Sequence, residues 1–214
     1  MSILAILEQR DGAWHRMSLE TLAAAQQIAR ELGVAAEAAV VGSGVQALAA
    51  ELGAHKLAKA YAVDHALLKD YTPDGYALAL RQLIEHARPT LVLFPHTYQV
   101  RDYLPKLATA LDRVAVSDAV GHRVDGAQVV MVRQLFQGKV NADVRFAGAA
   151  PWFASLQAGA YRADQAEAGV APVETFAPQL EAASIRTRPL ELFRESQRAV
   201  DLGIEEVVIE IELV

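Results

Sequence analysis

Short apolar runs alternate with amphipathic stretches along the first half of the chain, and this alternation constrains the fold more than any other feature. Each run is rich in Val, Ile, Leu and Ala, and each following stretch repeats its apolar residues with the period of a helix. The predicted strands cover residues 2–7, 36–41, 57–63 and 90–94. The predicted helices start at an N-cap at Ser18, after the turn 42–44, at Pro73 and near Leu104, where Pro105 would fall in the first turn.

Alternating strands and helices predict an α/β fold, in which helices cover both faces of one parallel sheet and form three layers. After residue 114 the pattern changes, because residues 114–153 fall into short β-branched runs separated by glycine-containing turns. We therefore expect an antiparallel β extension appended to the parallel sheet. Weaker signals predict a strand at 172–176, a linker at 186–189 and a terminal strand at 207–214.

The composition excludes several classes of protein. The chain has 214 residues, no cysteine and a formal net charge of -6, and it contains no long uncharged apolar segment. Disulfides and thiolate metal sites are therefore absent, and neither nucleic acid binding nor membrane insertion is expected. The six histidines form no pair at i, i+2 or i, i+4, so no metal site is predicted. A cytoplasmic protein is the default expectation.

A glycine-rich turn provides one candidate cofactor site. Gly42 and Gly44 belong to a G-x-G-x-x-A segment between a strand and a helix, and Asp64 ends the next strand about twenty residues later. This spacing is typical of dinucleotide binding, in which the acid holds a ribose, and it supports a nicotinamide-dependent oxidoreductase as one hypothesis. The alternative is that the two glycines only permit a tight turn.

A polar loop provides the second candidate. The loop at 95–101 follows a predicted strand and precedes a helix, and it contains His96, Thr97 and Arg101. An imidazole, a hydroxyl, a guanidinium and free helix N–H groups could together hold a phosphate or a carboxylate. The alternative is that Asp102 caps the helix while Arg101 is solvated or paired at the surface. Neither interpretation supplies a nucleophile with a base.

Several motifs in this region resemble a known family. They are, in chain order, Arg101-Asp102-Tyr103-Leu104-Pro105-Lys106-Leu107-Ala108, Val116-Ser117-Asp118, Val132-Arg133, Phe136-Gln137-Gly138-Lys139 and Ala150-Pro151-Trp152-Phe153-Ala154-Ser155-Leu156. Their order and spacing resemble the N-terminal domain of the electron transfer flavoprotein alpha subunit over about residues 1–160. The sequence departs from the family pattern at Val100, where a glycine is usual, at Gln134, where a proline is usual, and at Gln157, where an arginine is usual.

The resemblance implies a flavodoxin-like or adenine-nucleotide-hydrolase-like domain over residues 1–185 that pairs with a beta subunit. In the family, such a domain supports a separate FAD-binding domain and is not catalytic itself. The residues 186–214 would be a linker and the start of that FAD domain, so FAD is expected in the complete assembly but not on this chain. Interface positions implied by the resemblance are Arg101, Asp102, Arg133 and Gly138, although structural ion pairing would explain the two arginines nearly as well.

An adenine-nucleotide module is the alternative implied by the same resemblance. The family's beta subunit holds AMP in a comparable fold, and the matching positions here are Glu8, Asp64, His96, Thr97 and Arg101. Self-association is the alternative to a beta-like partner.

Overall fold

The computed structural model of the protein describes residues 1–189. The strands in this range are β1 (Ser2–Leu7), β2 (Gln9–Arg10), β3 (Ala13–Trp14), β4 (Ala35–Gly42), β5 (Lys59–Asp64), β6 (Leu91–Pro95), β7 (Ala115–Asp125), β8 (Gln128–Leu135), β9 (Val140–Arg145), β10 (Trp152–Leu156) and β11 (Val173–Phe176). The α-helices are α1 (Arg16–Leu32), α2 (Gln46–Leu52), α3 (Pro73–Ala87) and α4 (Tyr98–Ala110). The predicted α/β alternation and the predicted strand near residues 172–176 are confirmed.

Nine strands form one sheet in the order β11-β5-β4-β1-β6-β10-β7-β8-β9. Every pair from β11 to β7 is parallel, and the β7-β8 and β8-β9 pairs are antiparallel. The chain passes from β1 to β4 on one side and later enters β6 on the other side of β1. The strand order therefore reverses between β1 and β6, and their carboxyl ends border the crevice where ligands of such sheets usually bind.

Two apolar cores lie on opposite faces of the sheet. Helices α1 and α2 cover one face through residues such as Leu22, Ile28 and Leu48. Helices α3 and α4 cover the other through residues such as Leu80 and Leu107. The predicted three-layer arrangement follows because each helix buries one apolar stripe. None of the described helices is both long and apolar enough to span a bilayer.

Helix α1 begins earlier than the sequence predicted. Its N-cap is His15, whose Nδ1 accepts a hydrogen bond from the Met17 N–H at 3.3 Å, and the helix ends at Gly33 in the left-handed conformation. The predicted N-cap, Ser18, lies inside the first turn. Its hydroxyl donates to the Glu8 carbonyl at 2.7 Å and accepts from the Glu8 N–H at 2.9 Å. Ser18 therefore fixes the loop after β1 and does not cap the helix.

Helix α4 also begins earlier than expected. Its N-cap is Thr97, whose hydroxyl accepts from the Val100 N–H at 3.1 Å. The prediction that Asp102 caps the helix is wrong, because a helix that begins at Tyr98 has Asp102 in its second turn. The prediction that Pro105 lies in the first turn is wrong for the same reason, since Pro105 is inside the helix.

The antiparallel extension is real, but its last predicted strand belongs to the parallel sheet. Strands β7, β8 and β9 form an antiparallel meander, as expected. Strand β10 instead inserts between β6 and β7 and is parallel to both. The meander turns toward α1, because His122 of β7 lies 3.0 Å from Glu31 at the end of that helix. Asp118 of β7 has a φ of 58°. It lies next to the register shift between Ala119 and Gly121 in the pairing of β7 with β8.

After β11 the chain runs along α3 as a strap, which we define as residues 177–188 and which includes a 3-10 turn at Ala182–Ser184. Gln82 and Gln179 exchange two hydrogen bonds at 2.9 and 2.8 Å. Further along, the Arg186 N–H donates to buried Asp74 at 2.8 Å, and the Arg186 guanidinium lies 3.2 Å from the same carboxylate. The strap therefore runs antiparallel to α3. The predicted terminal strand at 207–214 lies outside the described residues.

Candidate functional site

The candidate residues gather at the carboxyl edge of the parallel strands. Glu8 follows β1, Asp64 ends β5, and His96 and Thr97 follow β6. A row of paired residues crosses the neighbouring strands β6, β10, β7 and β8 at this level. Its members, each paired with the next, are Pro95, Leu156, Ala119 and Arg133.

Glu8 and Thr97 close the crevice between β1 and β6. The Thr97 hydroxyl donates a hydrogen bond to a carboxylate oxygen of Glu8, and both side chains are buried. Since the same hydroxyl also caps α4, one side chain fixes both the helix start and the crevice. The place where a ligand of this fold would usually lie is thus occupied by a contact within the protein.

Asp64 fills the anion position of the glycine-rich turn. Its carboxylate accepts hydrogen bonds from the Gly44 N–H at 3.1 Å and the Val45 N–H at 3.3 Å, and from the Gln46 amide. A bound pyrophosphate would need these same backbone donors. A ribose-binding role would instead require the carboxylate to point away from the turn. The geometry therefore favours the tight-turn interpretation over the nicotinamide one.

His96 belongs to a polar cluster with Ser155 and Asp118. Its Nδ1 lies 2.8 Å from the Ser155 hydroxyl, which accepts a hydrogen bond from the Asp118 N–H at 3.1 Å. The Asp118 carboxylate is 3.9 Å from Nε2 of His96. Burial lowers the pKa of His96 from its usual value, the Asp118 charge opposes this, and Arg101 and Arg133 add to the lowering. The lowered pKa favours the neutral form of the imidazole.

This cluster is not a nucleophile with its base. Ser155 is completely buried, so its hydroxyl cannot reach a substrate carbonyl. Arg133, on β8, is partly buried, and its Nε has no hydrogen-bond partner within the described residues.

Arg101 and Asp102 lie on the exposed side of α4. The Arg101 guanidinium stacks over the Tyr98 ring at 5.5 Å from its centroid. The Tyr71 hydroxyl donates to Asp102 at 2.8 Å, and burial together with that carboxylate raises the pKa of Tyr71. The neighbouring ring of Tyr76 has its pKa raised by burial to about 12. Arg101 is therefore presented outward, while Asp102 is engaged within the fold.

Gly138 lies in the turn between β8 and β9. Phe136, Gln137 and Gly138 have successive φ values of 51°, 57° and 81°.

The Phe136 side chain is 75% exposed, and Tyr98 is 87% exposed. Sequence reasoning missed both aromatic residues as surface features. The motif around Phe136 carries no signal of exposure, and the exposure of Tyr98 follows only from a helix that starts after the Thr97 cap.

The structure thus brings together only part of the predicted nucleotide set. Glu8, Thr97 and His96 are neighbours, whereas Asp64 lies two strands from β1 and is engaged with its own turn. Arg101 is at the surface. The nucleotide assignment stays a prediction.

The two cavities described for this chain lie elsewhere. One is lined by the amino ends of β1, β6 and β10, including Ile3, Leu91 and Trp152, and the other by the amino ends of β4 and β5. At the carboxyl edge, the backbone donors and the crevice are taken by Asp64 and by the Glu8–Thr97 pair. A nucleotide in the usual position of this fold would have to displace these contacts.

The fold and the carboxyl edge of its sheet define a class of protein, an α/β domain of the nucleotide-binding type. In this chain, hydrogen bonds within the protein engage the groups at that edge. The family model described as electron transfer flavoprotein domain matches residues 3–181, and the chain belongs to this family. The alpha subunit of the electron transfer flavoprotein of Thermoanaerobacterium thermosaccharolyticum is 27% identical over 204 residues, covering 94% of this chain and 62% of the relative. That of Bacillus subtilis is 34% identical over 140 residues, covering 64% of this chain and 42% of the relative.

A relative with a more specific description is the acryloyl-CoA reductase electron transfer subunit beta of Anaerotignum propionicum. It is 23% identical over 236 residues, covering 98% of this chain and 64% of the relative. The chain spans about three fifths of the length of the alpha subunit from Thermoanaerobacterium thermosaccharolyticum. The family resemblance inferred from the motifs is confirmed.

Proposed function

We propose that this chain is the nucleotide-fold part of an electron transfer flavoprotein alpha-type subunit and acts as a non-catalytic scaffold. It pairs with a beta-type subunit, and the assembly carries electrons on an FAD that residues 1–189 do not hold. The observation that carries this proposal is the family match, which covers residues 3–181. Relatives named as alpha subunits align with up to 97% of the chain.

The filled carboxyl edge supports the scaffold role. A domain that binds its own nucleotide needs free backbone donors at this edge, and here Asp64 takes those of the glycine-rich turn. The proposed division of the chain places a linker and the start of an FAD domain at 186–214. The absence of cysteine suits the reducing cytoplasm, which we propose as the site of action.

The proposed interface uses Arg101, Arg133 and Gly138. Arg101 is exposed, the Nε of Arg133 has no hydrogen-bond partner within residues 1–189, and Gly138 lies in an exposed turn. Asp102 supports the interface from α4 through its bond to Tyr71.

Native mass spectrometry tests the proposal, because one spectrum reports both bound ligands and subunit count. The purified chain should carry no FAD, and co-expression with the beta-type subunit of the source organism should give a complex of the two chains. Stoichiometric FAD on the isolated chain, or no complex with the beta-type subunit, would contradict the proposal. A bound AMP would instead support the nucleotide-module alternative.

A further inference from the structure

Two aromatic side chains of the described residues are strongly exposed to solvent. Tyr98 is 87% exposed and Phe136 is 75% exposed, although aromatic side chains contribute most to stability when they are buried. The other tyrosines and phenylalanines of the described range are buried or half-buried. Exposed aromatic rings are enriched at protein interfaces, where they serve as anchors.

The sheet register links the two segments that carry these rings. Pro95 and Arg133 are the ends of a row of paired residues that crosses β6, β10, β7 and β8. Three strand spacings separate them, so they lie within about 15 Å of each other. Tyr98 follows Pro95 by three residues and Phe136 follows Arg133 by three residues. Tyr98 thus lies at the start of α4, and Phe136 lies at the start of the turn between β8 and β9, each a few residues beyond this row.

The backbone at Phe136 is strained. A φ of 51° is uncommon for a residue other than glycine, and it is particularly unfavourable for a bulky side chain. Gln137 and Gly138 continue the left-handed conformation, so the turn projects the ring outward. Because the ring is exposed, burial within the described fold does not offset this strain. Such strain often marks a functional position.

Positively charged side chains next to the two rings indicate which charge a partner surface should carry. Arg101 stacks on Tyr98, and Lys139 follows the Phe136 turn as an exposed cation. Asp102, the carboxylate next to Arg101, is hydrogen-bonded to Tyr71. A matching surface would offer apolar pockets for two rings and carboxylates for the two cations.

We propose that Phe136 and Tyr98 are the two anchors through which this chain docks onto its beta-type subunit. The partner surface presents apolar pockets bordered by acidic side chains. This inference rests on the proposed function and extends it, because it names the docking surface.

The test compares single variants of the full chain in binding to the purified beta-type subunit of the source organism by isothermal titration calorimetry. Phe136→Asn removes the ring and suits the left-handed backbone, and Tyr98→Ser removes the other ring. Each should weaken binding by about tenfold or more. Val170→Asn is the matched control, because Val170 is 94% exposed near the amino end of β5, away from this surface. It should bind like the wild type.

Added salt tests the charge component. Raising sodium chloride from 0.05 to 0.5 M should weaken the wild type more than Arg101→Gln, which lacks one of the cations. Urea unfolding of each variant verifies that the fold is retained.

Each outcome separates the two proposals. If the wild-type chain does not bind the beta-type subunit, both the proposed function and the docking surface fail. If it binds, and both aromatic variants bind within twofold of the wild type, the docking surface is wrong while the proposed function stands. If the wild type self-associates and Phe136→Asn abolishes that association but leaves beta binding intact, the surface serves a second copy and the inference is overturned.

Discussion

The hydroxyl of Thr97 donates to the buried carboxylate of Glu8 and joins the loops that follow β6 and β1. The two residues are 89 positions apart in the chain, yet their contact closes the crevice at which ligands of this fold usually bind. The same hydroxyl caps α4, so the start of that helix and the closure of the crevice depend on one atom.

Thr97→Val should therefore lower the free energy of unfolding by about 2 to 3 kcal/mol. The change removes an N-cap and leaves a buried carboxylate without its donor. Thr97→Ser keeps the hydroxyl and should cost less than about 1 kcal/mol. Urea denaturation measures both variants. Equal stability of the valine and serine variants would show that the hydroxyl contributes little.

Asp74→Ala should loosen the strap at its carboxyl end. The buried carboxylate accepts the Arg186 N–H and also pairs with Lys106, so its removal frees both partners. We expect amide hydrogen exchange to accelerate around Arg186, with a stability loss of about 1 to 2 kcal/mol.

Gln82→Ala is the matched control for the strap. It removes both hydrogen bonds to Gln179 and leaves those of Asp74 in place. Exchange should accelerate around Gln179 more than around Arg186. A uniform increase along the whole strap in both variants would mean that the two anchors act as one unit.

His96 should make the protein less stable at mildly acidic pH. Burial lowers the pKa of His96 in the folded state, with Arg101 and Arg133 adding to the effect and Asp118 opposing it. A depressed folded pKa means that the unfolded state binds the proton more readily. The stabilising contribution is therefore full above the ordinary pKa of about 6.5 and is lost as pH falls through that value toward the folded pKa.

The matched variant is His96→Asn, compared with the wild type by urea unfolding at pH 7.5 and pH 5.5. The variant should lose less stability between these two values, because it lacks this titration while retaining all others. Identical losses would show that His96 is not held neutral by the fold.

Phe136→Asn should raise the free energy of unfolding by about 1 kcal/mol. Asparagine adopts the left-handed conformation more readily than phenylalanine, and the ring that is lost is exposed. Phe136→Ala removes the ring without this backbone preference and serves as the control. Thermal and urea unfolding measure both. A less stable asparagine variant would indicate that the ring stabilises the isolated fold.

The sequence by itself determined the parallel α/β core of this protein. Periodicity reports which side of a strand or helix is buried, so the four strand-helix units were predictable from local pattern alone. Gly33 ended α1 as expected, because a glycine accepts the left-handed conformation of a helix end. The motifs around Arg101, Asp118 and Arg133 also sufficed to indicate the family, because their order and spacing match those of the family.

Tertiary structure decided what the edge of the sheet can do. Strand β10 pairs in parallel with β6 and β7 and therefore belongs to the parallel sheet. The local sequence pattern of a strand does not indicate which strands it will pair with. The spacing of Asp64 from the glycine-rich turn fitted a ribose ligand, but the packing of β5 beside β4 brought its carboxylate onto the Gly44 N–H. Only the fold could show this, because a hydrogen bond between residues far apart in the chain depends on how the strands pack.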